Sequence, residues 1–489
     1  MKNSFRGKIA PPIATLLILL FVVSPVWATC GGGGGGGVGG VSGGGGGAAA
    51  PTVYHVPWKA RKADDPPPKG LVVYWFPASA KEWEKSSLRA SRSLSQYASQ
   101  CIAMEVADTR IPNAEKLVGT STLPVAVLAT PDGTPVTKLE NTAGKLKVEQ
   151  LEKVVETEVK QREKSLDGML MEAKAKVTAG DKESAIKLYQ AVLAQKCMFP
   201  KKAKESAKEL KKLGVDEAAE LINAPDSPLP VFEARKSKLI DQTMRRGLLA
   251  EISERYILAE KLYSQAHQLD PADPTPLRYL GELYRHHIGD WDKARSTFTT
   301  ILEMPADPLS RAVALHGLGK MTIHDGEFKK GLHLMEDSVK EFPLALAYRN
   351  LAVYWNSEHD FVKGDEYTQK ALALEPKDPY NIVFAAVFMS SSGRGEQALK
   401  IAQQNMDLLP ASYNLAGIFA QNGKRKKALA LLRRHFFQYE RYEAVRSKEM
   451  MEARVDTVFD SLREDPEFLA LTSGADGKLQ MPMKSMEMR

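Results

Sequence analysis

The sequence predicts a multidomain chain, an α/β domain followed by an all-α superhelix of repeated hairpins (an α-solenoid). Two observations carry this. Between residues 70 and 165, apolar runs of strand length alternate with helix-favouring segments. From 238 to 440, small residues recur in pairs at a fixed spacing, with prolines between the pairs. The chain has 489 residues, enough for several domains, and a 43% apolar content permits real cores.

Taken in order, the chain opens on Lys2, Arg6 and Lys8, then the apolar run 13–23, then Val26-Trp27-Ala28. This is the layout of a secretory signal over residues 1–28. The run is short for a membrane span of about 20 residues. Cleavage after Ala28 starts the mature chain at Thr29. The alternative is lipidation at Cys30, which Ala28 suits but Trp27 and Thr29 do not. Loss of the three basic residues takes the net charge from +7 to about +4, too mild to argue for nucleic acid.

Residues 29–69 read as a disordered tether: between 31 and 47 only Val38, Val41 and Ser42 are not glycine. The α/β domain follows over 70–165. Strands are expected at 71–76, 102–107, 124–129 and 136–139, with the last two joined by a turn at Pro131-Asp132-Gly133. Helices are expected at 80–99, with Trp83, Leu88, Leu94 and Tyr97 facing the core, and at 147–164, with Leu151, Val154, Val155 and Val159 on one face. Residues 166–223 form a helical connector: a hairpin broken at Ala179-Gly180-Asp181, then a third helix. Pro225, Pro228 and Pro230 mark a boundary.

The array at 238–440 pairs Gly247 with Ala259, Gly281 with Ala294, Gly319 with Gly331, Ala352 with Gly364, Ala386 with Ala398, and Ala416 with Ala428. The gap is twelve residues in five pairs and thirteen in the second, where His286-His287 suggests one inserted residue. Pro271, Pro305, Pro343, Pro376 and Pro410 close the units. Small residues let two helices approach closely, and a single hairpin cannot bury its apolar face, so neighbours must stack. Residues 441–474 read as capping helices and 475–489 as a disordered tail.

This pattern resembles the tetratricopeptide repeat family. Leu280-Gly281, Tyr284, Ala294 and Phe298 carry the clearest signature, and Ala259, Tyr263 and Ala266 match a second half-unit. The resemblance implies that first helices line a concave groove. On that basis Arg278, Arg285, His316, Lys320 and Arg349 are the groove candidates, suited to a protein or peptide partner of acidic character through bidentate arginine. Residues 70–165 are similar to the thioredoxin-like family. The strand at 71–76 enters the position of that family's redox loop, and Thr122-Leu123-Pro124 matches its cis-proline. Where the family carries two cysteines, this chain has Ser79 and Glu82. Disulfide exchange needs one thiolate to attack and another to resolve, so the resemblance implies a redox-inert domain.

The remaining chemistry-bearing residues have plain readings. Ser79 with Glu82 three residues on reads as a capping box. Cys101 and Cys197 read as small buried hydrophobes in different domains, which argues against a bridge. His286 and His287 point about 100° apart on a helix, and His316, His324 and His333 lack ligand spacing, so neither a metal nor another cofactor is expected. The basic stretch 424–435 reads as a solvated helix face, with contact to an acidic partner or an anionic membrane surface as the alternative. The expectation is an exported, non-catalytic interaction scaffold of the bacterial cell envelope, at a membrane only if lipidated at Cys30. Two alternatives stay open: an oxidoreductase or redox chaperone acting through Cys101, and a lipoprotein assembly factor.

Overall fold

The computed structural model describes residues 52–473 apart from 225, 441 and 442. The signal segment, the glycine run with Cys30 and the 475–489 tail lie outside the described residues.

Among the described residues five strands form one sheet in the order β1-β3-β2-β4-β5: β1 Lys59–Ala60, β2 Val72–Phe76, β3 Ala103–Val106, β4 Val125–Ala129 and β5 Pro135–Glu140. β1, β2 and β3 are parallel; β4 runs antiparallel to β2, and β5 to β4. β2 and β4 are buried at every position because both faces of the sheet are covered. Val73, Trp75, Ala126 and Leu128 point into the larger core; Val72, Tyr74, Val125 and Val127 point into a smaller one.

The expected helix at 80–99 is broken. It forms α1 (Ala80–Lys85), a 3-10 turn (Ser87–Arg89) and α2 (Arg92–Ser99). Serine causes the breaks: Ser79, Ser86 and Ser91 each turn a side-chain oxygen onto a backbone N–H that begins a new helical segment. α3 (Ala114–Val118) covers the smaller core.

Three readings need correction here. The tether does not extend to 69. Val53, Tyr54, Val56 and Trp58 are buried, and β1 lies within that segment. Trp58 packs edge-on against Trp75 (5.3 Å between ring centres) and donates its indole N–H to the Leu88 carbonyl (2.8 Å), so its apolar residues have a sheet face to cover. The boundary at 165 is also absent. α4 (Val148–Thr178) is one helix of 31 residues, about 46 Å long, that carries the sheet's core into α5 (Lys182–Leu193) and α6 (Pro200–Lys212). Because sheet and connector share that core, Cys101 and Cys197 are joined as a disulfide with their Cα atoms 5.9 Å apart, inside the ordinary span.

After the short α7 (Ala219–Asn223), six α-hairpins follow among the described residues. They are α8/α9 (Ala234–Ile252, Tyr256–Leu269), α10/α11 (Pro274–Leu283, Trp291–Glu303), α12/α13 (Pro308–His324, Phe328–Glu341), α14/α15 (Ala345–Ser357, Phe361–Leu374), α16/α17 (Pro379–Ser391, Gly395–Gln404) and α18/α19 (Ser412–Gln421, Arg425–Arg434). The paired small residues lie at the helix crossings: a Cβ on Gly331 would stand 2.5 Å from the Gly319 carbonyl oxygen. Aspartate-proline pairs start α10, α12 and α16. Asp273, Asp307 and Asp378 accept from backbone N–H groups, and proline takes the first helical position, where no N–H is needed. The extra residue at His286-His287 is absorbed in a wider π-type turn, Tyr284–Ile288.

The end of the chain divides into two parts. A 3-10 turn (Thr457–Leu462) and α21 (Pro466–Thr472) cap the last hairpin with Phe459, Leu462, Phe468 and Leu471. Arg425 on α19 pairs with Asp465 and Glu467, and Arg433 with Glu467 at 3.6 Å; both arginines remain exposed, so the basic stretch is a solvated face that also meets acidic residues of its own chain. α20 (Glu443–Val455) packs on this cap, with Met450 and Ala453 in the same core and Arg454 donating to the Thr472 hydroxyl (3.0 Å), and it also reaches back over the array.

The α/β part is fixed to the array by Arg92. Its guanidinium pairs with Asp270 and with Asp273 (3.3 Å) and donates to the Val231 carbonyl (2.6 Å), all out of solvent. Arg92→Met leaves two buried carboxylates without their cation and lowers stability by about 3–5 kcal/mol, read as a lower urea midpoint. The exposed Arg235→Met changes it by less than about 0.5 kcal/mol. Likewise Gly331→Ala forces α12 and α13 apart and costs about 1–3 kcal/mol. Gly168→Ala, with open space around the new methyl, stabilises α4 by up to about 1 kcal/mol in the same measurement.

Candidate functional site

Two places carry predicted site residues, the loop after β2 and the inner face of the array. In the loop, Ser79 is exposed and its hydroxyl accepts from the Glu82 N–H at 3.1 Å, the capping role. Burial raises the Glu82 carboxyl above its ordinary range. Pro124 follows a cis peptide bond at the Phe76 end of β2, since Phe76 pairs with Val125. Cys101 lies at the other end, just before Ala103, which pairs with Val72. It is bonded to Cys197 and is not a thiol beside Pro124.

The five groove candidates are not solvent-facing as expected. Arg278, Arg285, His316, Lys320 and Arg349 are all buried, none more than 6% exposed. The chain itself covers or engages them. Arg285 pairs with Glu282 at 2.8 Å. Arg349 lies 3.5 Å from Glu375, donates to Asn381 (3.3 Å) and stacks over Tyr380. His316 exchanges a hydrogen bond with Asn350 at 2.7 Å. Arg278 lies beside the segment at 53–58, where Tyr54 donates to Asp273 (2.8 Å) and Tyr279 to the Val53 carbonyl (3.2 Å).

Lys320 meets α20. Glu452 on that helix lies 3.8 Å from the Lys320 ammonium and 2.7 Å from His324. Glu449 faces His435 at 3.5 Å, the Lys448 ammonium sits 3.0 Å from the centre of the Trp291 ring, and Tyr413 donates to Asp456 (3.0 Å). α20 therefore reaches α12 of the third hairpin, the start of α11 in the second and the turn that ends the sixth. It also packs on both π-type turns, Tyr284–Ile288 and His435–Tyr439.

The electrostatics follow from this enclosure. Burial, reinforced by Arg285, takes His316 down to about 3. Burial also takes His287 down to about 4 and His286 well below its usual value, so these imidazoles are neutral near pH 7. Burial works against ionisation of Glu452, but Lys320 and His324 outweigh it and hold that carboxyl at about 2. Glu251, which accepts from the Tyr263 hydroxyl at 2.6 Å, is raised by burial to about 8. Among the described residues no cluster of three or more His, Cys, Asp or Glu side chains is placed to hold a metal ion. Nor is any helix long and apolar enough to cross a membrane.

Sequence reasoning found these cations but missed their partners, Glu282, Glu375 and Glu452. The signal for Glu452 is present as Glu449 and Glu452 one helical turn apart.

A tetratricopeptide repeat model matches residues 277–312, covering most of α10, all of α11 and the start of α12. A curated protein, the CTR9 homolog of Arabidopsis thaliana, is 24% identical over 229 residues, 37% of this chain; the chain spans 21% of that protein's length. Among solved structures, YrrB, a TPR protein with an unusual peptide-binding site, shows 17% identity and a TM-score of 0.25 over 37% of this chain and 95% of its own. The Cut9–Hcn1 hetero-tetramer of APC/C shows 15% identity and 0.32, covering 60% of this chain and 61% of the other. The P58(IPK) TPR domain shows 14% and 0.20, covering 61% and 92%.

The raised Glu251 carboxyl makes a signed prediction. Between pH about 4.3, where it titrates in the unfolded chain, and about 8, the folded protein keeps a proton that the unfolded chain has lost. Stability therefore falls as pH rises through that window. Glu251→Gln removes the liability, so its advantage over the parent grows from pH 5 to pH 8 by about 2 kcal/mol or more in urea titrations.

Proposed function

We propose that this chain is an exported, non-catalytic scaffold of the bacterial cell envelope that holds protein partners on a tetratricopeptide-type array. The observation that carries this reading is the run of stacked α-hairpins itself, with the repeat match at 277–312 in its second and third units. Stacked hairpins of this kind give an extended surface with little else to do, since each unit contacts mainly its neighbours.

We read the N-terminal sheet as a thioredoxin-like domain without redox chemistry. The order β1-β3-β2-β4-β5 with β4 reversed supports this, as does the cis-proline next to the loop after β2. That loop offers Ser79 as a cap and Glu82, with no sulfur, and Cys101 is engaged at the far end of the sheet. The domain acts as a rigid mount: Arg92 and the segment at 53–58 hold it against the first two hairpins.

Export rests on the signal layout of residues 1–28 and the glycine tether. The test is made on full-length protein recovered from envelope extracts. Intact mass gives a chain beginning at Thr29, or an acylated Cys30 if lipidated; a retained Met1 overturns export. An insulin-reduction assay gives no turnover above buffer. Turnover abolished by Cys101→Ser overturns the non-catalytic reading. Cross-linking mass spectrometry finds protein partners joined to array lysines; a pattern matching an unrelated exported control overturns the scaffold.

A further inference from the structure

The C-terminal half of helix α20 shares in closing the array: Met450 and Ala453 join the core that Phe459, Leu462, Phe468 and Leu471 make with α18 and α19, and Arg454 donates to the Thr472 hydroxyl (3.0 Å). Yet α20 lies across the inner face over hairpins far apart in sequence. Over the inner face its polar contacts are Glu452 with Lys320 and His324, Glu449 with His435, and Lys448 with Trp291. Among its described side chains Val445, Met450 and Ala453 are buried, the last two in the core of the final hairpin, and Met451 and Val455 remain mostly exposed on its outer side. A thirteen-residue helix is marginal alone and depends on what it packs against.

The face beneath supplies cations and imidazoles: Lys320 and His324 come from α12, His435 from the second π-type turn, and Arg285, already paired with Glu282, from the first, with the Glu440 carboxyl in the same cluster. The complement it has found is a carboxylate pair spaced one turn apart, with methionine and alanine beside it.

We propose that α20 is a displaceable intramolecular ligand, and that the inner face receives a partner's short helix bearing two carboxylates one turn apart once α20 swings out. This rests on the scaffold reading above and adds what the face recognises and what guards it. The guard works by effective concentration: a tethered helix outcompetes a free one of the same sequence until its own contacts weaken.

The experiment uses the full chain and a fluorescent peptide of residues 443–455. In the parent protein, tryptic cleavage at Arg446, Lys448 and Arg454 is slow and the peptide does not bind, read by anisotropy. Glu452→Lys sets two cations together against Lys320. It speeds cleavage at those sites at least tenfold and admits the peptide, whose own glutamates still find Lys320. A peptide with Glu449→Lys and Glu452→Lys does not bind. The charge swap Lys320→Glu with Glu452→Lys restores protection and loses the peptide. Circular dichroism checks folding, and Lys448→Ala, which removes the Trp291 contact, gives a milder release, read at Arg446 and Arg454, if Glu452→Lys does not fold. Equal peptide binding by parent and released variants overturns the guard. Unchanged cleavage in every variant overturns displacement. Release without peptide binding overturns this face as the scaffold's binding surface, separately from the guard.

Discussion

A single buried guanidinium sets the relation between the two halves of the molecule. Arg92 sits at the start of α2, on the sheet side, and reaches Asp270 and Asp273 in the turn between the first two hairpins. A buried charge is tolerable only with its counter-charges in place, so the sheet has one seat on the array. The rest of the junction forms around that seat. Tyr54 donates to Asp273, the Val231 N–H to Asp270, and Tyr97 stacks on Phe232. Val231 and Phe232, just before α8, are thereby pinned.

The same rule explains the interior of the array. Its first helices bring arginine, lysine and histidine inward, where enclosure makes compensation matter; Arg278 leaves its Nε without a hydrogen bond and stands over the Tyr279 ring, while others find carboxylates. Arg285 has Glu282, Arg349 has Glu375, and Lys320 has Glu452. The histidines meet the demand differently, by staying neutral. One of the compensating carboxylates comes from a helix that crosses the face from the end of the chain. That difference of origin separates a fixed ion pair from one that a competitor can replace.

Much of the local structure was legible. The spacing of Gly319 and Gly331 located a helix crossing because only a residue without a side chain fits where backbones touch. One surplus residue at His286-His287 announced a local widening of the helix, because the twelve-residue rhythm had no other place for it. Ser79 read as a cap on stereochemistry alone. The errors share another cause. Residues 53–60 looked like the end of a tether because Val53, Tyr54, Val56 and Trp58 are apolar with nothing nearby in sequence to cover. Cys101 and Cys197 look unrelated in sequence because 96 residues separate them and nothing local shows that α4 runs unbroken from the sheet into the connector.

The sequence by itself determined the hairpins, their crossings, their caps and the loop that lacks sulfur, all governed by residues within about one turn or one hairpin of each other. Tertiary structure alone decided which charges meet: Arg92 with two aspartates some 180 positions on, Lys320 with a glutamate from α20, one cysteine with another. Local propensity and periodicity fall off within a few residues, whereas the desolvation that forces buried charges to pair depends on which surfaces the finished fold brings together.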